Sequence, residues 1–426
     1  MSFDSVEESV SEGLASSWVG TALKKTFLSL RHRNFLLFFI GQSISNTGNW
    51  LTNVALILLV LKLTGSGVAI GVLSACQYGP ILLLSAWAGA IADRSDKRKL
   101  LFVTQALEMS QSVALAVVAF QPHPSLVVLY ALAVCGGMFL AFDNPLRRSF
   151  VTEMVPRKDI PNAVVLYSII VNISRIFGPA LAGLLVLTMG FGWCFTIDAI
   201  TYSAVILCLF MMRPKELYRG TPKSREKGDV RAGLRYVTQN RILWVSFVML
   251  IVVQVFSYNF TVTLPLFVTD SLHESGSMFT LLYSLFGAGA VVSALLVAHR
   301  NLVRMAHILW GALALGGAML VLSFVPNAGF AMPAVFLVGM GSILYLTATT
   351  AIVQTESERE MHGRVLALQT VILGGSSLIG GPLLGWVADA MGGRAPMIIG
   401  AVAAIASAVF GYYACRHHWQ GVAAHV

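Results

Sequence analysis

Charge is what this 426-residue chain has least of: Asp, Glu, Lys and Arg together make up 12%, about half the usual ~25%. So few charges cannot clothe a soluble globule, because the apolar patches left exposed would drive association. The hydrophobic share of 56% also excludes a disordered chain. Cysteine is scarce. Cys76, Cys135, Cys194, Cys208 and Cys415 stand alone, without a C-x-x-C pair or a His/Cys/carboxylate spacing suited to metal, so they read as small buried apolar residues. The N-terminal stretch carries Asp4, Glu7, Glu8 and Glu12 and has no early apolar run, so no cleavable signal peptide is expected. Val10 to Leu30 instead predicts an amphipathic helix on the inner membrane face. Phosphate loop, Walker motif and catalytic triad are all missing. The chain is therefore expected to be no enzyme, to be driven by something other than ATP, and to need neither cofactor nor metal.

What the sequence has is apolar length, with a mean hydropathy of +0.76. A membrane helix needs about 20 largely apolar residues. Breaks at charges, Gly-Pro pairs and polar clusters predict spans at 35–61, 67–92, 100–120, 125–145, 163–188 and 192–212. A second set follows at 242–268, 277–298, 304–324, 330–354, 364–388 and 395–415. The short alternating segments of a membrane barrel are absent. The expected fold is an all-α membrane protein with twelve transmembrane helices in two six-helix halves. The segment 1–34 precedes them and 35–212 is the first bundle. A basic linker, 213–241, leads to the second bundle, 242–415, and to a tail, 416–426.

The net charge of +9 suggests nucleic acid until the positions are read. Of 29 Lys and Arg, 26 fall in the segments on the side of the N-terminus, Arg147 and Arg148 among them. Only Lys62 and Arg394 fall on the other side, and Arg175 lies inside a span. The positive-inside rule then predicts both termini and the long linker in the cytoplasm, against an anionic inner-membrane surface. No nucleic-acid partner is expected, and the chain is expected to act as a monomer among membrane lipids.

The two halves echo each other. Gly178-Pro179-Ala180-Leu181-Ala182-Gly183 leads to Met189-Gly190, and Gly381-Pro382-Leu383-Leu384-Gly385 leads to Met391-Gly392. The offset is 203 residues at the first pair and 202 at the last. Spans 5 and 11 thus hold matching places in tandem halves, the architecture of a rocker-type secondary transporter.

Ionisable residues inside spans are functional candidates, because charge at the bilayer centre is costly. Glu108 in span 3, Arg175 in span 5 and Asp198 in span 6 qualify, with Asp143 near the end of span 4. Arg175 is expected to pair with Asp198 or Asp143, which would make that pair structural. Glu108 lacks an evident partner and is flanked at helical spacing by Gln105 and Gln111, as suits a protonated carboxyl that carries protons. Span 1 places Gln42, Asn46, Asn49 and Asn53 on one face, and span 7 does the same with Gln254, Tyr258 and Thr261. Tyr345, Thr349 and Gln354 form a weaker stripe in span 10.

Span 2 ends Gly89-Ala90-Ile91-Ala92-Asp93-Arg94-Ser95-Asp96-Lys97-Arg98-Lys99, and here the chain resembles the major facilitator superfamily. Asp96 and Lys97 replace the usual Gly and Arg. The resemblance implies a latch of Gly89, Asp93, Arg94 and Arg98, with Asp93 at the positive N-terminus of span 11; interfacial anchoring is the rival reading. Further motifs are Gly48-Asn49-Trp50, Thr64-Gly65-Ser66, Phe142-Asp143-Asn144-Pro145-Leu146-Arg147-Arg148, and Asn172 through Pro179. They resemble the subgroup of enterobactin exporters and macrolide efflux proteins. The central Arg that many drug–proton antiporters place in span 4 is expected to be missing here. The Gly178-Pro179…Gly183 stretch resembles the antiporter signature of span 5.

In this superfamily the first span of each half lines the cavity. The resemblance therefore makes the stripes of spans 1 and 7 substrate contacts, against helix–helix adhesion as the alternative. The function it implies is export of a siderophore or amphiphilic drug-like molecule across the inner membrane, driven by protons. Alternatives on the same scaffold are uptake, lysolipid flipping, or a transport-inactive sensor, which the midplane charges disfavour.

Overall fold

The computed structural model describes residues 27–218, 230–297, 304–358 and 361–422, excluding the side chains of Ala86, Ala90, Asp93, Val230, Arg231 and those from His417 onward. The amphipathic helix expected at Val10 to Leu30 falls largely outside the described residues. Among those residues, twelve helices are long and apolar enough to cross a membrane, and there is no strand. Spans 1 to 6 are Arg33–Thr64, Gly67–Arg94, Lys97–Ala119, Leu126–Val151, Ile160–Thr188 and Phe191–Met211. Span 7 runs Arg241–Phe256, breaks, and resumes at Phe260–Leu266 before a π-turn at Phe267–Ser271. Spans 8 to 12 are Gly276–Val297, Met305–Ser323, Ala328–Glu356, His362–Met391 and Arg394–Val422.

Two boundaries differ from expectation in ways that matter. Span 4 does not stop at Pro145 but continues six residues further, to Val151. A membrane helix tolerates an internal Pro when neighbours satisfy the freed carbonyl. Span 7 is interrupted at Ser257–Asn259, near its middle. The Asn259 amide donates to the carbonyls of Gln254 (3.2 Å) and Val255 (2.8 Å). Ser257 Oγ donates to the Gly400 carbonyl at 2.7 Å. Polar side chains thus replace the backbone bonds that the break removes.

Between the halves lies a short linker helix, Val230–Gln239. Its Val237 is buried with Leu243, Phe247, Val353 and Val365, and the Glu358 amide donates to Tyr236 Oη at 3.1 Å. One face is apolar and seated on spans 7, 10 and 11, as amphipathicity requires.

The halves touch through spans 2 and 11 and through spans 5 and 8. These pairings are each other's equivalents if span 5 matches span 11, as the Gly-Pro repeat predicts. Glycine makes them possible. A side chain added at Gly67 would reach the Gly385 carbonyl at 2.5 Å, and one at Gly71 the Gly381 carbonyl at 2.5 Å. The spacing is Gly-x-x-x-Gly on both helices, so two backbones come into direct contact. Gly183 likewise abuts Thr280 of span 8.

All these contacts lie at the end of the bundle opposite the chain termini, reaching the midplane at Gly287 against Arg175 and Gly375 against Leu82. Toward the terminal end the same helix faces are bare. Val165 and Ile169, on the face of span 5 that carries Ile176 against Gly287, are 55% and 37% exposed, and Val371 of span 11 is 51% exposed. A cleft between the halves is closed at the far end and open toward the termini.

Candidate functional site

Span 3 carries Thr104, Gln105, Glu108, Gln111 and Ser112 at three- and four-residue spacing, a polar stripe on one helix face. Except for Gln111 they are buried against spans 4 and 6. The partner that Glu108 lacks in the sequence is Arg147. Its Nη2 lies 3.1 Å from Glu108 Oε2, and its Nε contacts Asp143 Oδ2 one turn earlier on span 4. Its Nη1 donates to Gln42 Oε1 at 2.8 Å and Asn46 Oδ1 at 3.5 Å. Gln105 Nε2 bridges the acids, donating to Glu108 Oε2 (3.1 Å) and Asp143 Oδ1 (2.9 Å), and Thr104 Oγ1 donates to Asp143 Oδ1 at 2.9 Å. Glu108, Asp143 and Arg147 are no more than 3% exposed.

Arg147 is thus not a loop cation, as its place after Pro145 suggested. It is a buried guanidinium inside span 4, where the antiporter arginine had seemed missing. The signal was present as Asp143-x-x-x-Arg147, an i,i+4 pair, but the Pro between them was read as the end of the helix.

Asp198 sits farther from the termini in the same half. Thr52 and Ser112 each donate to its Oδ2 at 2.8 Å, and it is 1% exposed. Gly48 on span 1 permits this approach, since a side chain there would meet Asp198 Oδ1 at 2.5 Å. A cavity of ≈ 120 Å³ opens between spans 1, 2, 3, 4 and 6, lined by Asn49, Trp50, Asn53, Gln77, Tyr78, Glu108, Gln111, Asp198 and Tyr202, among others. Glu108 Oε1 and Asn53 Oδ1 are buried there with no hydrogen-bond partner. Glu108 and Asp143 therefore share one guanidinium in the interior, and Asp198, held by two hydroxyls, lies beside the same cavity as Glu108. Burying carboxylates in excess of their cationic partners is costly.

The other predicted residues divide by location. Gln42, Asn46, Asn49 and Asn53 do form one stripe, but it faces its own half. Asn49 donates to Tyr202 Oη at 3.3 Å and Asn53 to Gln77 Oε1 at 3.5 Å, so the stripe walls the acidic cluster rather than the cleft. Tyr258 lies at the break of span 7 and donates to the Ser342 carbonyl at 2.6 Å. Gln254 is buried a turn before it and Thr261 is half-buried after it. Tyr345 and Thr349 are buried within the second half, whereas Gln354 is exposed.

Arg175 pairs with neither Asp198 nor Asp143, since those acids are held by Thr52 and Ser112 and by Arg147. Its guanidinium lies over the Trp50 ring, 5.2 Å from the centroid. Gly178 and Pro179 are buried, and Gly178 lets span 1 press against span 5 beside Trp50.

Of the latch residues, Arg94 is exposed, and Arg98 donates to the carbonyls of Leu209 (2.7 and 2.9 Å) and Phe210 (3.3 Å). Arg98 thus caps the end of span 6 within its own half and does not reach span 11. Gly89 is half-buried, and the Asp93 side chain is outside the described set. A cross-half carboxylate cap does occur, at the opposite end. Asp389, at the end of span 11, accepts from Ser66 Oγ (2.7 Å), the Gly67 amide (2.5 Å) and the Val68 amide (3.0 Å) at the start of span 2.

Residues 24–423 match the profile of the family described as "transmembrane secretion effector". The staphyloferrin A transporter of Staphylococcus aureus is 35% identical over 176 residues, 40% of this chain. That alignment spans 44% of the relative, less than half its length. The multidrug efflux pump Tap of Mycolicibacterium fortuitum is 25% identical over 368 residues, 84% of this chain and 90% of that protein. Among solved structures, a bacterial homolog of the human lysosomal transporter Spinster, inward-facing and unoccupied, superposes with a TM-score of 0.72 at 16% identity. The superposition covers 90% of this chain and 97% of that one.

Proposed function

The chain belongs to the transmembrane secretion effector family of the major facilitator superfamily, and from that premise we propose that it exports a siderophore or amphiphilic drug-like molecule in exchange for protons. The observation that carries this reading is the acidic cluster in the first half, where Glu108 and Asp143 share Arg147 and Asp198, held by Thr52 and Ser112, lies beside the same small cavity as Glu108. With its carboxylates ionised, the cluster holds excess negative charge, and the cost of burying it favours the state in which water reaches it. Protonation removes that cost and permits closure. A proton taken up on one side is then released on the other, and its gradient biases the halves between the two openings.

The cleft opens toward the termini, and the Lys and Arg distribution supports reading that side as cytoplasmic. Cargo would enter from that side. Export is the direction carried by the name of the multidrug efflux pump Tap, and a siderophore by that of the staphyloferrin A transporter.

Transport into inverted vesicles of purified protein, with and without an imposed pH gradient, tests the reading. A fluorescent efflux dye and a ferric-chelating siderophore serve as cargo. Accumulation that collapses with the gradient is expected. Accumulation that needs ATP, or that persists unchanged without the gradient, refutes it.

A further inference from the structure

Arg175 stands at the middle of span 5 on the surface that faces the other half. Among the described residues, no carboxylate lies within ion-pair distance of it. Its Nε is buried without a hydrogen-bond partner, and the guanidinium rests on Trp50. Tyr78, Tyr258 and Tyr283 are within its electrostatic reach. These aromatics come from spans 1, 2, 7 and 8, and so from both halves. Trp50 and Tyr283 face each other across the divide, ring centroids 6.2 Å apart. Tyr258 marks the break in span 7, and discontinuous helices at the midplane are where transporters of this architecture hold cargo.

A guanidinium does not surrender its proton. One face of Arg175 is occupied by an indole, which attracts the cation without neutralising it. Its hydrogen-bonding edge suits a planar anion, which two parallel N–H donors can grip. Aromatic walls beside it suit a flat ring. We infer that Arg175 anchors the acidic group of the cargo, and that the site takes an aromatic carboxylate, its ring laid against Trp50 and Tyr283. This inference rests on the reading of the chain as a transporter with its cargo in the cleft, and it narrows the cargo to anionic, ring-bearing molecules.

Calorimetric titration of the full-length protein in detergent, with no gradient present, tests the assignment. The probes are 1-naphthoate, its neutral amide 1-naphthamide, and 1-naphthylmethylammonium. Naphthoate is expected to bind about tenfold or more tighter than the amide, the scale of a hydrogen-bonded charge, and the ammonium more weakly than either. Arg175→Gln removes the preference for naphthoate over the amide, and Arg175→Lys retains part of it. Equal affinities for naphthoate and naphthamide in the unmodified protein overturn the inference without any variant. So does an Arg175→Gln protein that keeps the preference, or no naphthoate binding up to millimolar concentration. A chain that binds naphthoate in this way but shows gradient-independent accumulation in vesicles loses the proton-coupled reading and keeps this one. Gradient-driven transport with no naphthoate preference does the reverse.

Discussion

Replacing Asp389 by Asn should loosen the far end of the bundle without unfolding either half. The carboxylate caps Ser66, Gly67 and Val68, the first groups of span 2, whose amides have no partner within their own helix. A charge at a helix N-terminus contributes about 0.3–1 kcal/mol when exposed and up to ~2 when partly buried. Asp389 is exposed, so solvent screening holds its share near the lower range. Asn keeps one acceptor and loses the charge, for a loss of about 1 kcal/mol. Because the bond crosses between halves, that loss falls wholly on the state closed at the far end, and about fivefold more of the chain opens there. The assay is a spin-label distance between cysteines placed at Lys62 on span 1 and Met391 on span 11. The long-distance population should grow about fivefold in Asp389→Asn, and further in Gly385→Val, whose side chain would strike the Gly67 backbone. Thermal stability should barely move in Asp389→Asn. An unchanged distance distribution in both variants refutes the argument that this contact holds the far end shut.

Arg147→Ala should be destabilising by roughly 3–5 kcal/mol, because it strands Glu108 and Asp143 in the interior; lower melting temperature and yield in detergent report it, and adding Asp143→Asn should restore part. Arg175→Ala should leave melting nearly unchanged, since no ion pair is lost; a drop as large as that of Arg147→Ala contradicts the placement of the two arginines. Glu108→Gln and Asp198→Asn should remain folded but lose the response of transport to a pH gradient, measured in the inverted vesicles; full gradient dependence in both removes the cluster from coupling. Single cysteines at Gln121 and Asn327 should label from outside intact cells and one at Ser224 should not; the opposite pattern inverts the topology.

Hydropathy and charge position were enough to read twelve spans, and the Gly-Pro echo at 178 and 381 to read tandem halves. Those properties are local or repeat along the chain: a helix must be apolar over its own length, and loop charges act on the membrane surface one by one. The polar stripes were legible for the same reason, because helical spacing determines which residues share a face. Which way a stripe faces was not. Gln42 through Asn53 share one face whether it turns to the cleft or to the interior of its own half, and only packing chose the interior, against spans 2, 4 and 6. Pairing was also hidden. Arg147 looked like a loop cation because Pro145 reads as a stop, and Arg175 looked like the partner of Asp198 because both stood alone in apolar runs. Ion pairs form between residues brought close by tertiary packing, and sequence distance carries no information about that across helices. The state of the cleft lay furthest from the sequence. Gly67, Gly71, Gly381 and Gly385 permit close contact, but whether the halves meet at the far end or part there is a balance between two packings of the same residues, and the folded chain displays the one in which Asp389 caps span 2 and the cleft opens toward the termini.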